Sequence, residues 1–264
     1  MSSKEFIQQL YDRQRQVLSA FPDKESAEDF IDKLFSFLFV PRKSRNQPLQ
    51  DVEKEFDSLK SYLSTLVYDV NHNGDDTQRI TDQFFKALPG VYHALLTDAT
   101  SIATHDPAAT SADEVVVAYP GFYAIAVYRL SHELYKLKVK TLPRMFTEYA
   151  HSKTGVDIHP GATIGEGFFI DHGTGIVIGE TAIIGNNVKI YQGVTIGALL
   201  GSKETQKLKR HPTIEDEVII YAGATILGGN TVIGKGSTIG GNVWLTSSVP
   251  AASFVYQKNE VGVL

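Results

Sequence analysis

The chain has 264 residues, 42% of them hydrophobic and 21% charged, with a net charge of −5 and a sequence pI near 5.9. That composition describes a folded globular protein and excludes wholesale disorder. The acidic balance gives no general attraction for nucleic acid or an anionic membrane, so an anionic ligand must be met by a local basic cluster.

There are no cysteines, which removes disulfides, thiolate metal sites and a cysteine nucleophile together. The opening MSSKEFIQQL lacks the apolar stretch of a signal peptide, and no run approaches the roughly 18 apolar residues of a membrane span. A soluble cytoplasmic protein is expected.

The first 150 residues repeat nothing and read as helices. Phe30, Ile31, Leu34, Phe35, Leu38 and Phe39 recur at helical spacing and give one apolar face. Val52, Phe56, Leu59, Leu63, Leu66, Val67 and Val70 do the same over a longer stretch. Pro41 and Pro48 bracket the loop between them, and Asn71-His-Asn-Gly74 stops the second helix. A third helix is predicted from about Thr77 into the Ala99 region, followed by a loop at Asp106-Pro107. A fourth is predicted from near Pro120, with Phe122, Ile125, Ala126, Leu130 and Leu134 on one side, and Pro143 ends or restarts it. The aromatic stripes are assigned to helix packing or an oligomer surface.

From Val156 the periodicity changes. Ile158, Ile164 and Ile170 lie six apart, as do Ile178, Ile184, Ile190 and Ile196; the pattern resumes at Ile214, Ile220 and Ile226, then at Ile233, Ile239 and Leu245. A six-residue repeat of one aliphatic among small residues predicts a parallel β-helix, each aliphatic stacking on its counterpart one turn away. Gly197 to His211 carries no hexad and is expected to leave the coil as a loop, and the seven-residue step from Ile226 to Ile233 places a bulge at Gly228-Gly229. The fold class is therefore α+β: a helical domain over residues 1–150, a β-helix over 151–250 and a tail over 251–264.

Three histidines fall in or beside the repeats: His159, His172 and His211. An imidazole is the natural general base near neutral pH. His172 follows a core isoleucine by two places, near a corner where a side chain can face outward. Asp157 precedes it by fifteen residues, against about eighteen for one turn of the coil. The two could meet on adjacent turns, the carboxylate fixing the tautomer of the ring. Both could equally be solvated corner residues.

Asp157-Ile-His-Pro160, the run from Asp171-His-Gly-Thr-Gly175 to Ala182, Val194-Thr-Ile-Gly197 and Arg210-His-Pro212 together resemble the serine acetyltransferase family in order and spacing. The likeness extends upstream through His105-Asp-Pro-Ala108, Tyr119-Pro-Gly-Phe-Tyr-Ala124 and Tyr128-Arg129, covering about residues 90 to 250. Hexads alone are shared by many transferases; the Asp-His-Gly-Thr-Gly run with the upstream Asp-Pro is the specific part.

The resemblance implies a left-handed coil and acetyl transfer from acetyl-CoA to the hydroxyl of L-serine, with no metal. His172 would be the base and Asp157 its orienting partner. Asp106 and Asp171 would receive the serine ammonium, Arg210 its carboxylate, and His211 would help place the acceptor or stabilise the oxyanion. Acetyl-CoA would lie between neighbouring subunits against Gly197, Ala198, Ala222 and Gly241, with Lys235 at its phosphates. His159 is read as structural.

The same likeness implies trimers, often paired into hexamers, cysteine binding in the serine pocket, and docking of O-acetylserine sulfhydrylase by a C-terminal tail that here ends Val261-Gly-Val-Leu264. The sequence departs from the family pattern in a loop about four residues longer from Ala198 to Lys209, in Thr238, and in Val255 to Asn259. The alternatives are an acetyltransferase for a sugar or antibiotic hydroxyl, a zinc carbonic anhydrase of the β-helix type, and a scaffold without catalysis. The first has no need for Asp106, Asp171 and Arg210 together, the second needs three convergent histidines, and the third leaves an acid–base set unused.

Overall fold

The computed structural model describes residues 1–18, 21–41, 48–199 and 208–258. Among these, seven helices precede the strands: α1 (Ser3–Leu18), α2 (Lys24–Phe39), α3 (Leu49–Asn71), α4 (Gly74–His105), α5 (Ala112–Ala118), α6 (Pro120–Lys136) and α7 (Leu142–Thr154). The predicted apolar stripes of α2, α3 and α6 face a shared core in which Phe30, Leu63 and Phe122 are fully buried.

Three helical expectations are corrected. The third helix is longer at both ends, because the Asn73 side chain caps it by accepting from Asp76 N–H, and it runs through Pro89 to His105. Helix α5 was not foreseen; Ser111 Oγ accepts from Glu114 N–H at 3.1 Å while the Glu114 carboxylate accepts from Thr110 N–H, closing a short capping loop. Helix α1, polar in most of its positions, was also not foreseen. Pro143 restarts the chain at the first turn of α7.

The rest is a left-handed parallel β-helix of three faces. The first face stacks Asp157–Ile158, Val177–Ile178, Thr195–Gly197, Thr225–Leu227 and Trp244–Leu245. The second stacks Thr163–Ile164, Ile183–Ile184, Thr213–Ile214 and Val232–Ile233. The third stacks Phe169–Ile170, Lys189–Ile190, Ile219–Ile220, Thr238–Ile239 and Phe254–Val255. The hexad isoleucines point inward and are all buried; Leu245, near the open end, is partly so. Each stacked isoleucine contributes about 2 kcal/mol by removing its side chain from water.

The coil is uneven in three places. Ile170 and Ile178 lie eight apart rather than six, so Asp157 pairs with Val177 and the first turn is longer than eighteen residues. Across the predicted loop, Ile183 pairs with Thr213 and Ile184 with Ile214, so the coil resumes without a register fault. Residues 200–207 of that loop lie outside the described residues. At the third irregularity the extra residue is absorbed in a turn with Gly228 at φ 100° and Thr231 N–H bonded to Gly228 C=O, rather than as a ladder bulge.

Helix α6 ties the two halves together. Asp98, fully buried on α4, accepts from Arg129 Nε at 2.6 Å and Nη2 at 2.9 Å and from the Phe168 N–H at 2.9 Å. Burial pushes its carboxyl up against the pull of Arg129. Arg129 also donates to the carbonyls of Ile164 and Gly165, Tyr128 to that of Ala162, and His132 faces that of Pro160. One helical face is thereby bonded to the backbone of the first coil.

Candidate active site

The β-helix has three edges, and the candidate residues are divided among them. Asp171 and His172 occupy the edge where the third face turns into the first. The extra residues between Ile170 and Ile178 make a loop there, with His172 at φ 57° and Gly173 N–H bonded to Asp171 C=O at 2.6 Å. The His172 side chain is 70% exposed, and its Nδ1 lies 3.6 Å from Asp171 Oδ1. An outward imidazole beside a carboxylate is accessible to a substrate proton.

The helical half brings a second acid to this edge. Asp106 caps the C-terminus of α4; its Oδ1 accepts from Ala108 N–H at 2.8 Å and its Oδ2 from Tyr119 Oη at 2.7 Å. The start of α6 sits on the strand before Asp171 so closely that a Cβ at Gly121 would lie 3.0 Å from Ile170 Cγ2. The hydrogen bond to Asp106 pushes the Tyr119 phenol up to about 12, with the charges of Asp106, Glu114 and Asp171 adding to it. Burial raises the Tyr191 phenol, and Asp171 and Asp106 act on it too. Both acids therefore flank one corner.

Asp157 lies on the outer side of the first face, directly under this loop: Gly175 N–H bonds to Gly155 C=O and Asp157 N–H to Ile176 C=O. The expected contact with the His172 ring is not formed within the single chain. The Asp157 carboxylate accepts instead from Arg144 Nη1 at 3.3 Å, and His172 faces Asp171.

Arg210 and His211 occupy a different edge, where the first face turns into the second. His211 is almost fully buried, and burial with the adjacent Arg210 charge lowers its ring to about 4, so it is neutral near pH 7. Thr181 N–H donates to His211 Nδ1 at 3.0 Å, which leaves the proton on Nε2 and makes that atom a donor. Gly179 provides the seat, since a Cβ there would lie 2.0 Å from the ring. The Arg210 guanidinium is bonded to Glu180, which also accepts from Tyr135 Oη at 2.9 Å. Thr181 Oγ1 accepts from the backbone N–H of both Arg210 and His211.

His159 lies at this edge as well, with burial lowering its ring and Gly161 N–H donating to its Nδ1. It lines a cleft of about 400 Å³ with Tyr135, Arg144 and Glu180. Sequence reasoning missed Glu180, Thr181 and Tyr135 as supports of this half-site.

The residues assigned to the cofactor divide in the same way. Ala222 and Gly241 follow their strands at the position His172 occupies, so they continue its edge along the coil. Tyr191 and Tyr221 stack on that edge with ring centroids 5.1 Å apart. Gly197 and Ala198 belong to the edge of Arg210. Lys235 lies on the third edge, where its Nζ is 3.3 Å from Glu217, and it joins neither group within one chain.

A left-handed hexad coil with an exposed imidazole between acids on one edge, and an arginine with a neutral N–H donor on the next, defines a β-helix acyltransferase. No family profile matches the chain. A serine acetyltransferase from Synechococcus elongatus (plasmid) is 55% identical over 183 residues, 67% of this chain and 57% of that protein, so the match spans little more than half of that relative. The serine acetyltransferase of Bacillus subtilis is 48% identical over 164 residues, 62% of this chain and 73% of that protein. Serine acetyltransferase 1 of Entamoeba histolytica, solved with L-cysteine, superposes with a TM-score of 0.80 at 36% identity, over 89% of this chain and 87% of that one. The chain belongs to the serine acetyltransferase family. The sugar and antibiotic alternative is not favoured.

Proposed function

We propose that the protein transfers the acetyl group of acetyl-CoA to the hydroxyl of L-serine, giving O-acetylserine and CoA, at sites assembled between neighbouring subunits of a homotrimer. The observation that carries this is the division of one complementary set between two edges. His172, Asp106 and Asp171 stand on one edge and Arg210 and His211 on another, so the set closes when the first edge of one chain meets the second edge of the next.

In that groove Asp106 and Asp171 receive the serine ammonium, and Arg210, already ordered by Glu180, takes the carboxylate. The His172 ring removes the hydroxyl proton as the oxygen attacks the thioester carbonyl. Asp157, one loop below, turns to the imidazolium that forms. The His211 Nε2–H donates to the oxyanion of the tetrahedral intermediate. Collapse breaks the C–S bond, and the proton passes from His172 to the departing CoA sulfur.

Ala222 and Gly241 of one chain and Gly197 and Ala198 of the next form a small-residue track for the pantetheine arm. Lys235, on the remaining edge, meets the phosphates only where they leave that track. The same reading extends to a cytoplasmic enzyme, to pairing of trimers through the helical half, and to a sulfhydrylase contact by the segment ending Val261-Gly-Val-Leu264. That segment lies outside the described residues.

The test is serine-dependent release of free CoA thiol from acetyl-CoA by the purified protein. His172→Ala is expected to lower that rate on the order of 10² to 10⁴-fold. Near-normal turnover in this variant removes the mechanism.

A further inference from the structure

We propose that Tyr119 is a positioning residue for the amino-acid acceptor, fixing the Asp106 carboxylate in the orientation in which it joins Asp171 as a receptor for the acceptor's ammonium; this rests on the reading of the acceptor given above.

Both partners are locked by the residue that follows them. Asp106 precedes Pro107 and Tyr119 precedes Pro120, and a residue before proline is held in extended backbone. Asp106 has φ −95° and ψ 110°, and Tyr119 has φ −88° and ψ 118°. Each is also a cap, Asp106 closing α4 and Tyr119 standing between α5 and α6. Two stiff junctions face each other across a 2.7 Å hydrogen bond from Tyr119 Oη to Asp106 Oδ2.

That bond determines what Asp106 can offer. Its Oδ1 spends one lone pair on the Ala108 N–H and its Oδ2 one on the phenol, which leaves an acceptor site on each oxygen for a ligand. The phenol is raised to about 12, so it stays a donor wherever an amino group carries its proton. The seat of Gly121 against Ile170 fixes the distance between this assembly and Asp171.

The hydroxyl has no part in the fold of its own segment. The Tyr119 N–H caps α5 through Val115 C=O, and its C=O accepts from Tyr123 N–H at the start of α6; phenylalanine keeps both. What Tyr119→Phe removes is the contact with Asp106.

The experiment is steady-state kinetics of the full-length enzyme and of the Tyr119→Phe and Asp106→Asn variants, with 3-hydroxypropanoate, which lacks the amino group, as an inhibitor competing with serine. Loss of one hydrogen bond to a charged group is expected to raise KM for serine about tenfold in Tyr119→Phe. In that variant kcat and KM for acetyl-CoA stay within about twofold and the inhibition constant of 3-hydroxypropanoate is unchanged, because neither depends on an ammonium contact.

An unchanged KM for serine in Tyr119→Phe, with a raised KM in Asp106→Asn, overturns the positioning role alone. An unchanged KM in both variants overturns the assignment of Asp106 on which it rests. A parallel loss of kcat and of both substrate affinities, with a lowered thermal midpoint, shows Tyr119 to be structural and overturns the proposal as well.

Discussion

Gly179→Ala tests the role of His211 by displacing its ring. Gly179 does not adopt a positive φ, so alanine brings no backbone strain and slightly stiffens the unfolded chain. The new Cβ, however, would stand 2.0 Å from Cδ2 and Nε2 of the His211 ring. Carbon contacts settle near 3.5 to 4 Å, so the ring must retreat by about 1.5 Å. A retreat of that size breaks the Nδ1 contact with the Thr181 N–H and carries the Nε2–H donor away from the oxyanion. Misplacement by about 1 Å costs on the order of 10²-fold, and loss of one oxyanion donor about 10² to 10³-fold. A fall of about 10²-fold in kcat is expected, with a thermal midpoint lowered by a few degrees, since displacing a buried, hydrogen-bonded ring costs about 1 to 3 kcal/mol. Thiol release under saturating serine and acetyl-CoA measures the first and calorimetry the second. A Gly179→Ala enzyme with the parent's kcat refutes the assignment of His211.

Other consequences concern stability. Asp98→Ala leaves Arg129 without its buried partner, and a broken buried pair costs about 3 to 5 kcal/mol; a urea midpoint unchanged by this variant contradicts the role given to that pair. The His211 ring is depressed from about 6.5 to about 4, so between those values the unfolded chain binds more protons than the folded one. Stability is therefore complete above about pH 6.5 and falls as pH drops toward 4, by up to about 1.4 kcal/mol per pH unit from this residue. Half-buried His132 and His159 are shifted in the same direction and add to the slope. Urea titrations at pH 7 and pH 5 check the sign, and greater stability at pH 5 contradicts it.

The coil was legible because its period is short and each inward position admits only an aliphatic side chain. Ile158 through Ile239 could be placed one by one from spacing. Helix α5 was missed although Ser111 and Glu114 stand at capping-box spacing, since seven residues are too few to establish an apolar period. An eighteen-residue turn allows Asp157 and His172 to meet but leaves both equally free to be solvated corner residues. The loop after Ile170 lengthens that turn, and Arg144, from a helix with no repeat to betray it, takes the Asp157 carboxylate.

Glu180 and Thr181 lie about thirty residues before Arg210 and His211, and they meet them because Thr213 resumes the coil in register with Ile183. Which edges carry which half of the set depends on strand register across three faces, and no local pattern encodes that. The candidate residues can be listed from motifs, but their division between two edges cannot.

That division is tested most directly by mixing two inactive chains. His172→Ala and Arg210→Ala each lose one edge, so homotrimers of either have no complete site. In trimers assembled at random from equal amounts, a site is whole when an intact His172 edge meets an intact Arg210 edge, which happens about one time in four. Co-expression of the two variants, followed by thiol release per subunit, is expected to return about a quarter of the parental rate. A mixed population no more active than its two parents contradicts a site built between chains.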